Sequence, residues 1–170
     1  GGPCAGKTTI LRALEQAGHA VVPETSRIVL EAGIAAGRTA EELRSDPAAW
    51  QMQILDKDHT LFEGLQVDQP VFTDTSFIED LVFSQRAGIT VGPNTQQWLL
   101  NKRYKTVFFL EPLGTYARSA VRIETQQVSE QISAAVRKQY QEYGYQPISV
   151  PAASVAERLA FITRVIAEQS

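Results

Sequence analysis

The sequence predicts an α/β fold in which helices cover both faces of a parallel β-sheet. Short apolar runs alternate along the chain with longer segments whose apolar residues recur at helical spacing. The clearest run, residues 106–110, is apolar enough for a strand that is buried on both faces. With 170 residues, of which 44% are hydrophobic, the chain is long enough to bury a core of its own. We therefore expect a single domain over residues 1–170.

The first half of the chain is predicted to hold two strands among several helices. The strands are short β-branched runs at residues 20–22 and 70–73. The longer helices follow the apolar periodicity over residues 8–17, 25–36, 47–65 and 77–86. A short helix is expected after Thr39, which forms a capping-box pattern with Glu42. The second helix is expected to bury Ile28, Val29, Ala32 and Ala36.

The second half repeats the alternation of helices with strands. Helices are expected over residues 95–103 and 128–143, and strands over residues 106–110 and 146–150. Ser154 with Glu157 forms a further capping-box pattern, which predicts a last helix. That helix is expected to bury Val155, Leu159, Ile162 and Ile166.

Composition argues against several classes of protein. The net charge of −3 does not favour broad binding to nucleic acid. No run reaches the roughly 18 apolar residues of a membrane-spanning helix. The one cysteine, Cys4, excludes an internal disulfide and suits a reducing cytoplasm. We expect a cytoplasmic protein that acts on small molecules.

The first nine residues carry the most specific motif, Gly1-Gly2-Pro3-Cys4-Ala5-Gly6-Lys7-Thr8-Thr9, which fits the phosphate-binding pattern G-x-x-x-x-G-K-[ST]. The glycines let the backbone curl, so that successive N–H groups form a nest for an anion. The following helix adds the positive end of its dipole. In this motif the lysine, here Lys7, reaches the β- and γ-phosphates, and the threonine, Thr8, offers its hydroxyl to Mg²⁺. All nine residues are candidates for binding ATP. Because the motif normally follows a buried strand, we expect apolar residues before Gly1 in the natural protein.

Polar side chains follow two of the predicted strands, where ligands bind in parallel sheets. Asp74 ends the strand at residues 70–73, where a carboxylate can hold Mg²⁺ or take a proton from an acceptor hydroxyl. Thr75 is the next residue and a candidate for binding the acceptor substrate. Glu24 and Arg27 follow the strand at residues 20–22, one helical turn apart. They form either a clamp on the acceptor, with Glu24 as a possible base, or an ordinary ion pair.

Two arginines follow the strand at residues 106–110. Arg118 and Arg122 lie one helical turn apart in a segment, residues 111–125, that Pro112 and Gly114 interrupt. An arginine above the γ-phosphate stabilises the charge that develops in transfer, so this segment is expected to act as a lid over the nucleotide. The alternative is a solvated helix face, and Arg122 is the stronger of the two candidates.

With these residues in place, the chain resembles the AAA-type predicted ATPases related to ribosylnicotinamide kinases. The similar stretches run in order along the chain and comprise the first nine residues, Val21-Val22-Pro23-Glu24 with Arg27, Val71-Phe72-Thr73-Asp74-Thr75, residues 107–112, Val121-Arg122, Tyr140 with Tyr143-Gly144-Tyr145, Val150-Pro151 and Glu157-Arg158. The resemblance implies a three-layer P-loop kinase-like fold with a five-stranded parallel sheet that uses ATP and Mg²⁺. It also implies a binding loop near the adenine after Pro151.

One departure from the family pattern bears on activity. Members often carry Asp-Arg where this chain has Asp74-Thr75, whereas Asp-Thr followed by an aromatic, here Phe77, resembles the kinase branch. The sequence therefore favours an ATP- and Mg²⁺-dependent phosphotransferase that acts on a small hydroxylated metabolite such as a nucleoside. The alternative is an ATPase or GTPase switch, or a nucleotide-binding module, without a small-molecule acceptor.

Overall fold

A computed structural model describes residues 1–3, 5–65, 69–113 and 126–169. The chain divides into two compact units, one formed by Gly1–Gly18 with Tyr104–Ser170 and the other by His19–Arg103. In chain order the elements are α1 (Lys7–Gln16), β1 (Ala20–Val22), α2 (Thr25–Ala35), α3 (Ala40–Arg44), α4 (Pro47–Glu63), β2 (Val71–Thr73), α5 (Phe77–Arg86), α6 (Pro93–Asn101), β3 (Phe108–Leu110), α7 (Gln126–Glu142), β4 (Ile148–Val150) and α8 (Val155–Glu168).

The first unit contains β3 and β4, which pair in parallel with Phe108 opposite Ile148 and Leu110 opposite Val150. Helices α1, α7 and α8 supply the rest of its core, since each buries apolar residues at helical spacing. The largest fully buried side chains of this unit are Phe109, Ile132, Val136, Val150 and Ile162.

The second unit contains β1 and β2, which pair in parallel with Val22 opposite Thr73. Helix α5 is the most buried element here, with Phe77, Ile78, Leu81 and Val82 inside. An aromatic cluster adjoins it, in which Trp98 packs edge-on against Phe77, with ring centroids 4.5 Å apart. His59 and Phe62 also contact the Trp98 ring, and its indole N–H donates to Glu63 at 2.7 Å.

The mixed α/β class is confirmed, and every predicted strand is present, although residues 106–110 and 146–150 shorten to three residues each. Both predicted capping boxes are present. The hydroxyl of the capping residue, Thr39 or Ser154, accepts from the N–H of the glutamate three positions later, and that carboxylate accepts from the N–H of the capping residue. The described strands form two separate parallel pairs, so a five-stranded sheet is not seen. The five-stranded sheet and the single domain stay predictions.

Several predicted core positions are wrong. Ala32 and Ala36 are exposed, and Val155, at the first position of α8, is 43% exposed. Periodicity overestimates burial at such positions because a helix end projects beyond the layer that it covers. Conversely, the inward face of α4 carries the polar residues Gln51 and Asp58 beside Ile54. Helix α6 begins two residues earlier than predicted because Pro93 suits the first helical turn.

Across the described part of the chain, no helix combines the length and apolar character needed to cross a membrane.

Candidate functional site

The glycine-rich loop begins against the carboxyl ends of β3 and β4, where there is no room for side chains. A Cβ atom on Gly1 would overlap the carbonyl oxygen of Leu110. A Cβ on Gly2 would lie 2.6 Å from the Cβ of Ser133 on α7. Both positions therefore require glycine for close packing, in addition to any need for backbone freedom.

Four carbonyl oxygens of the loop are held by side chains that donate hydrogen bonds. The Lys7 Nζ donates to Gly1 O at 2.9 Å and to Gly2 O at 3.4 Å. The Ser129 hydroxyl, on α7, donates to Pro3 O at 3.0 Å. The Arg158 Nη1, on α8, donates to Ala5 O at 2.7 Å. The loop is thus fixed through its oxygens by its own lysine and by two helices.

The direction of these carbonyls decides what the loop can bind. The chain has no cis peptide among its described bonds, and in a trans peptide the C=O and the following N–H point in opposite directions. The N–H groups of Gly2 and Gly6 therefore point away from Lys7 and Arg158, respectively. In loops of this motif, backbone N–H groups supply the donors that bind an anion.

Helix α1 adds to this preference for anions. Gly6 is its N-cap residue and takes the left-handed conformation, with φ of 87°. Its first turn, Lys7-Thr8-Thr9, contains no acidic side chain. The positive end of the helix dipole is therefore not neutralised from within, which suits a phosphate group.

Glu111 follows β3 at the same edge, and both its N–H and its carboxylate are bonded. Its N–H donates to Val150 O at 2.9 Å, and its carboxylate is 2.5 Å from the Arg137 Nη2. The Arg137 guanidinium also lies 3.9 Å from the centre of the Phe109 ring and donates to the Ser149 hydroxyl. This arrangement orients Glu111 at the edge of the strands.

A shallow cavity of about 340 Å³ lies where β4 leads into α8. Arg164 lies 5.5 Å from the centre of the Phe161 ring, so a planar cation borders the apolar wall. An aromatic face and a guanidinium can both stack on a nucleobase. The cavity is lined by Pro151, Ala153, Glu157, Arg158, Ala160, Phe161 and Arg164.

The other predicted site residues form a second group, within the unit His19–Arg103. Because Val22 is opposite Thr73, Glu24 and Asp74 follow neighbouring strands at the same edge. Asp74 is buried, and Glu24 accepts a hydrogen bond from the Ser26 hydroxyl at 2.6 Å. Arg27 is exposed, so the structure pairs Glu24 with Ser26 rather than with Arg27.

Thr75 also lies at this edge. Its N–H donates to the Thr73 hydroxyl, while its own hydroxyl is buried and meets no hydrogen-bonding partner in the described residues. A buried hydroxyl in that state is suited to bind a ligand that carries a donor or acceptor.

The structure therefore brings the described loop residues together in one unit, and Glu24, Arg27, Asp74 and Thr75 together in the other. Arg118, Arg122 and Cys4 lie outside the described residues, as does most of the predicted lid over residues 111–125. In the described ranges, no cluster of three or more His, Cys, Asp or Glu side chains could hold a metal ion. Thr8 lies in the first unit and Asp74 in the second, and each stays a predicted ligand of Mg²⁺.

A buried pair of carboxyl groups lies in the second unit and was not predicted. Asp58 accepts a hydrogen bond from the Thr25 hydroxyl, and Asp80 accepts one from the Gln51 amide at 3.3 Å. Burial raises the pKa of Asp80 well above its usual range, and the neighbouring Asp58 and Glu79 raise the Asp80 pKa further. Asp80 therefore favours its protonated form more than an exposed carboxyl group does.

Arg158 is the residue of the loop region that sequence reasoning missed as a contact. Its side chain is only 2% exposed, although it belongs to a helix whose pattern is amphipathic. The signal was present, because Arg158 precedes Ile162 by one turn and so shares its buried face. A charged residue on the apolar face of a helix indicates a buried partner.

Residues 1–158 match a family model that is described as an AAA domain. Comparisons with curated proteins and with solved structures give no match.

Proposed function

Because the chain belongs to the AAA domain family, a family of P-loop nucleotide-binding proteins, we propose that it is an ATP- and Mg²⁺-dependent phosphotransferase. The proposed acceptor is a small hydroxylated metabolite such as a nucleoside. One observation carries the proposal: side chains hold four carbonyl oxygens of the loop, and the N–H groups of Gly2 and Gly6 point in the opposite direction. A triphosphate is the anion that this motif binds.

The loop supplies binding and electrostatic stabilisation. Lys7, whose ammonium group contacts two carbonyl oxygens of the loop, would exchange these for β- and γ-phosphate oxygens. Thr8 is proposed to bind Mg²⁺ through its hydroxyl, and the Asp74 carboxylate is proposed as a metal ligand; the ion would supply charge neutralisation at the phosphate oxygens. Arg122, with Arg118, is proposed to cover the charge that develops on the transferred group.

The acceptor is proposed to bind at the edge that follows β1 and β2. Glu24 would accept a proton from the acceptor hydroxyl or orient it, since its carboxylate already accepts from a hydroxyl, that of Ser26. Arg27 and Thr75 would contact the remaining polar groups of the acceptor. The exposed Arg27 guanidinium and the buried Thr75 hydroxyl are both available for such contacts.

The base of the nucleotide is proposed to occupy the cavity beside Pro151. This cavity belongs to the same unit as the loop, and its wall is mainly apolar. Stacking on Phe161 and Arg164 would favour a purine without dictating which one. We propose ATP rather than GTP as the nucleotide because the family resemblance implies ATP.

The proposal is tested by ADP release from ATP and Mg²⁺, measured with and without a panel of nucleosides and other small hydroxylated metabolites. We expect at least one acceptor to increase the rate, and the phosphorylated acceptor to appear in equal amount with ADP. Omission of Mg²⁺ serves as the control and should abolish turnover. Tight ATP binding without stimulation by any acceptor would favour a nucleotide switch, and no ATP binding would contradict the proposal altogether.

Gly2→Ala is expected to weaken ATP binding about tenfold or more, because the added methyl group would push the loop away from Ser133 and misplace its N–H groups. The measurement is calorimetric titration with ATP and Mg²⁺. Adding Ser133→Gly removes the opposing Cβ and should recover part of the affinity. Wild-type affinity in Gly2→Ala alone would show that the loop does not need this close contact.

A further inference from the structure

The Arg158 guanidinium joins three segments of the first unit. Its Nη1 donates to Ala5 O of the loop at 2.7 Å. Its Nη2 donates to Glu111 O, after β3, at 2.6 Å, and its Nε donates to Pro151 O, after β4, at 2.9 Å. The residues contacted are 153, 47 and 7 positions away in sequence. One side chain thus fixes the loop to the ends of both strands.

Only arginine has the chemistry for this contact. The guanidinium is a rigid planar fork with donors on three nitrogens, whereas an ammonium group concentrates its donors at one point. Burial lowers the pKa of Arg158, and the nearby Glu111 opposes that shift. Three short bonds to carbonyl oxygens compensate for the loss of water around the buried cation.

Arg158 also touches both parts of the proposed nucleotide site. Its Nη1 holds the loop through Ala5 O, while the same side chain lines the cavity proposed for the base. The Nε donates to Pro151 O, and Pro151 also lines that cavity. Through Arg158, the position of the loop therefore depends on the position of the residues that line the cavity.

We propose that Arg158 is a positioning residue that holds the phosphate loop in its anion-binding form at a fixed distance from the base cavity, before nucleotide binds. This inference rests on the proposed function, since it concerns the same nucleotide site. Arg158 contributes no group to the phosphates in this proposal; it acts through the backbone of Ala5. Its loss should therefore affect phosphate binding more than base binding.

The test compares Arg158→Lys and Arg158→Ala with wild type in calorimetric titrations with ATP plus Mg²⁺ and with adenosine. In the variants that keep the wild-type circular dichroism spectrum, we expect ATP affinity to fall by about tenfold to a hundredfold. Adenosine affinity should change by no more than about threefold, because Phe161 and Arg164 remain. Guanidinium ion at millimolar concentration should restore ATP affinity to Arg158→Ala, whereas methylammonium at equal ionic strength should not.

Arg12→Lys is the matched control, since Arg12 is an exposed arginine of α1 in the same unit, and it should keep wild-type ATP affinity. Unchanged ATP affinity in folded Arg158→Lys would overturn the proposal. Equal weakening of ATP and adenosine, or failure of both Arg158 variants to fold, would instead assign Arg158 to stability and overturn it too. Absence of ATP binding by the wild type is a separate result, which would contradict the proposed function itself.

Discussion

Lys7→Ala is expected to lower the rate of ATP turnover by about a hundredfold or more, while the protein stays folded. The ammonium group is the one cation that the loop itself carries, and it lies 2.9 Å from Gly1 O, a contact that it is proposed to exchange for phosphate oxygens. Removing it takes away charge stabilisation during phosphoryl transfer. Because Lys7 is only partly buried and adds nothing to the apolar core, the melting temperature should change little.

Two measurements check this expectation. Steady-state turnover gives kcat for Lys7→Ala, and thermal unfolding followed by circular dichroism shows whether the fold is kept. Lys138→Ala is the control, since that lysine is 77% exposed on α7 and pairs with the exposed Glu142 one turn away. A turnover number equal to the wild type in Lys7→Ala would argue against the loop as the site of transfer.

Asp80→Asn is expected to stabilise the protein at neutral pH and to flatten the dependence of stability on pH. In the folded protein the pKa of Asp80 is raised by burial and by Asp58, whereas in the unfolded chain it is ordinary. The folded state therefore binds the proton more tightly, and its stability is greatest below the unfolded pKa. Stability is lost as pH rises toward the folded pKa, by about 1.4 kcal/mol per pH unit.

Asparagine has the shape of the protonated acid, so its oxygen can still accept from Gln51 while its amide donates toward Asp58. Urea unfolding at pH 5 and pH 8 measures the effect, which should be larger at pH 8. Asp56→Asn, on the exposed side of α4, is the control and should shift stability little at either pH. Equal pH dependence in Asp80→Asn and wild type would show that the pair binds no extra proton.

Local rules predicted much of this structure. The helix starts at Thr39 and Ser154 were predicted correctly because a cap depends on residues within three positions of each other. The loop was located for the same reason, since its motif is nine consecutive residues. What the loop rests on was not predicted, because Ser129 and Arg158 reach it from more than 120 residues away in the chain.

The burial of several polar side chains was also not predicted. Asp58 and Gln51 lie on the inward face of α4, where a pattern built on apolar residues leaves no place for them. Their burial depends on partners such as Thr25 and Asp80, which come from other helices. The sequence shows such residues only as interruptions of the apolar stripe, and the partners that compensate for them appear only in the folded unit.

The aromatic cluster around Trp98 has an optical consequence. The chain has two tryptophans, and both Trp50 and Trp98 belong to the unit His19–Arg103. Tryptophan fluorescence, excited at the red edge of the indole band, therefore reports on this unit alone. Circular dichroism of the backbone amides averages over the whole chain. Melting curves recorded by these two signals would coincide if both halves unfold in a single step and separate if one outlasts the other.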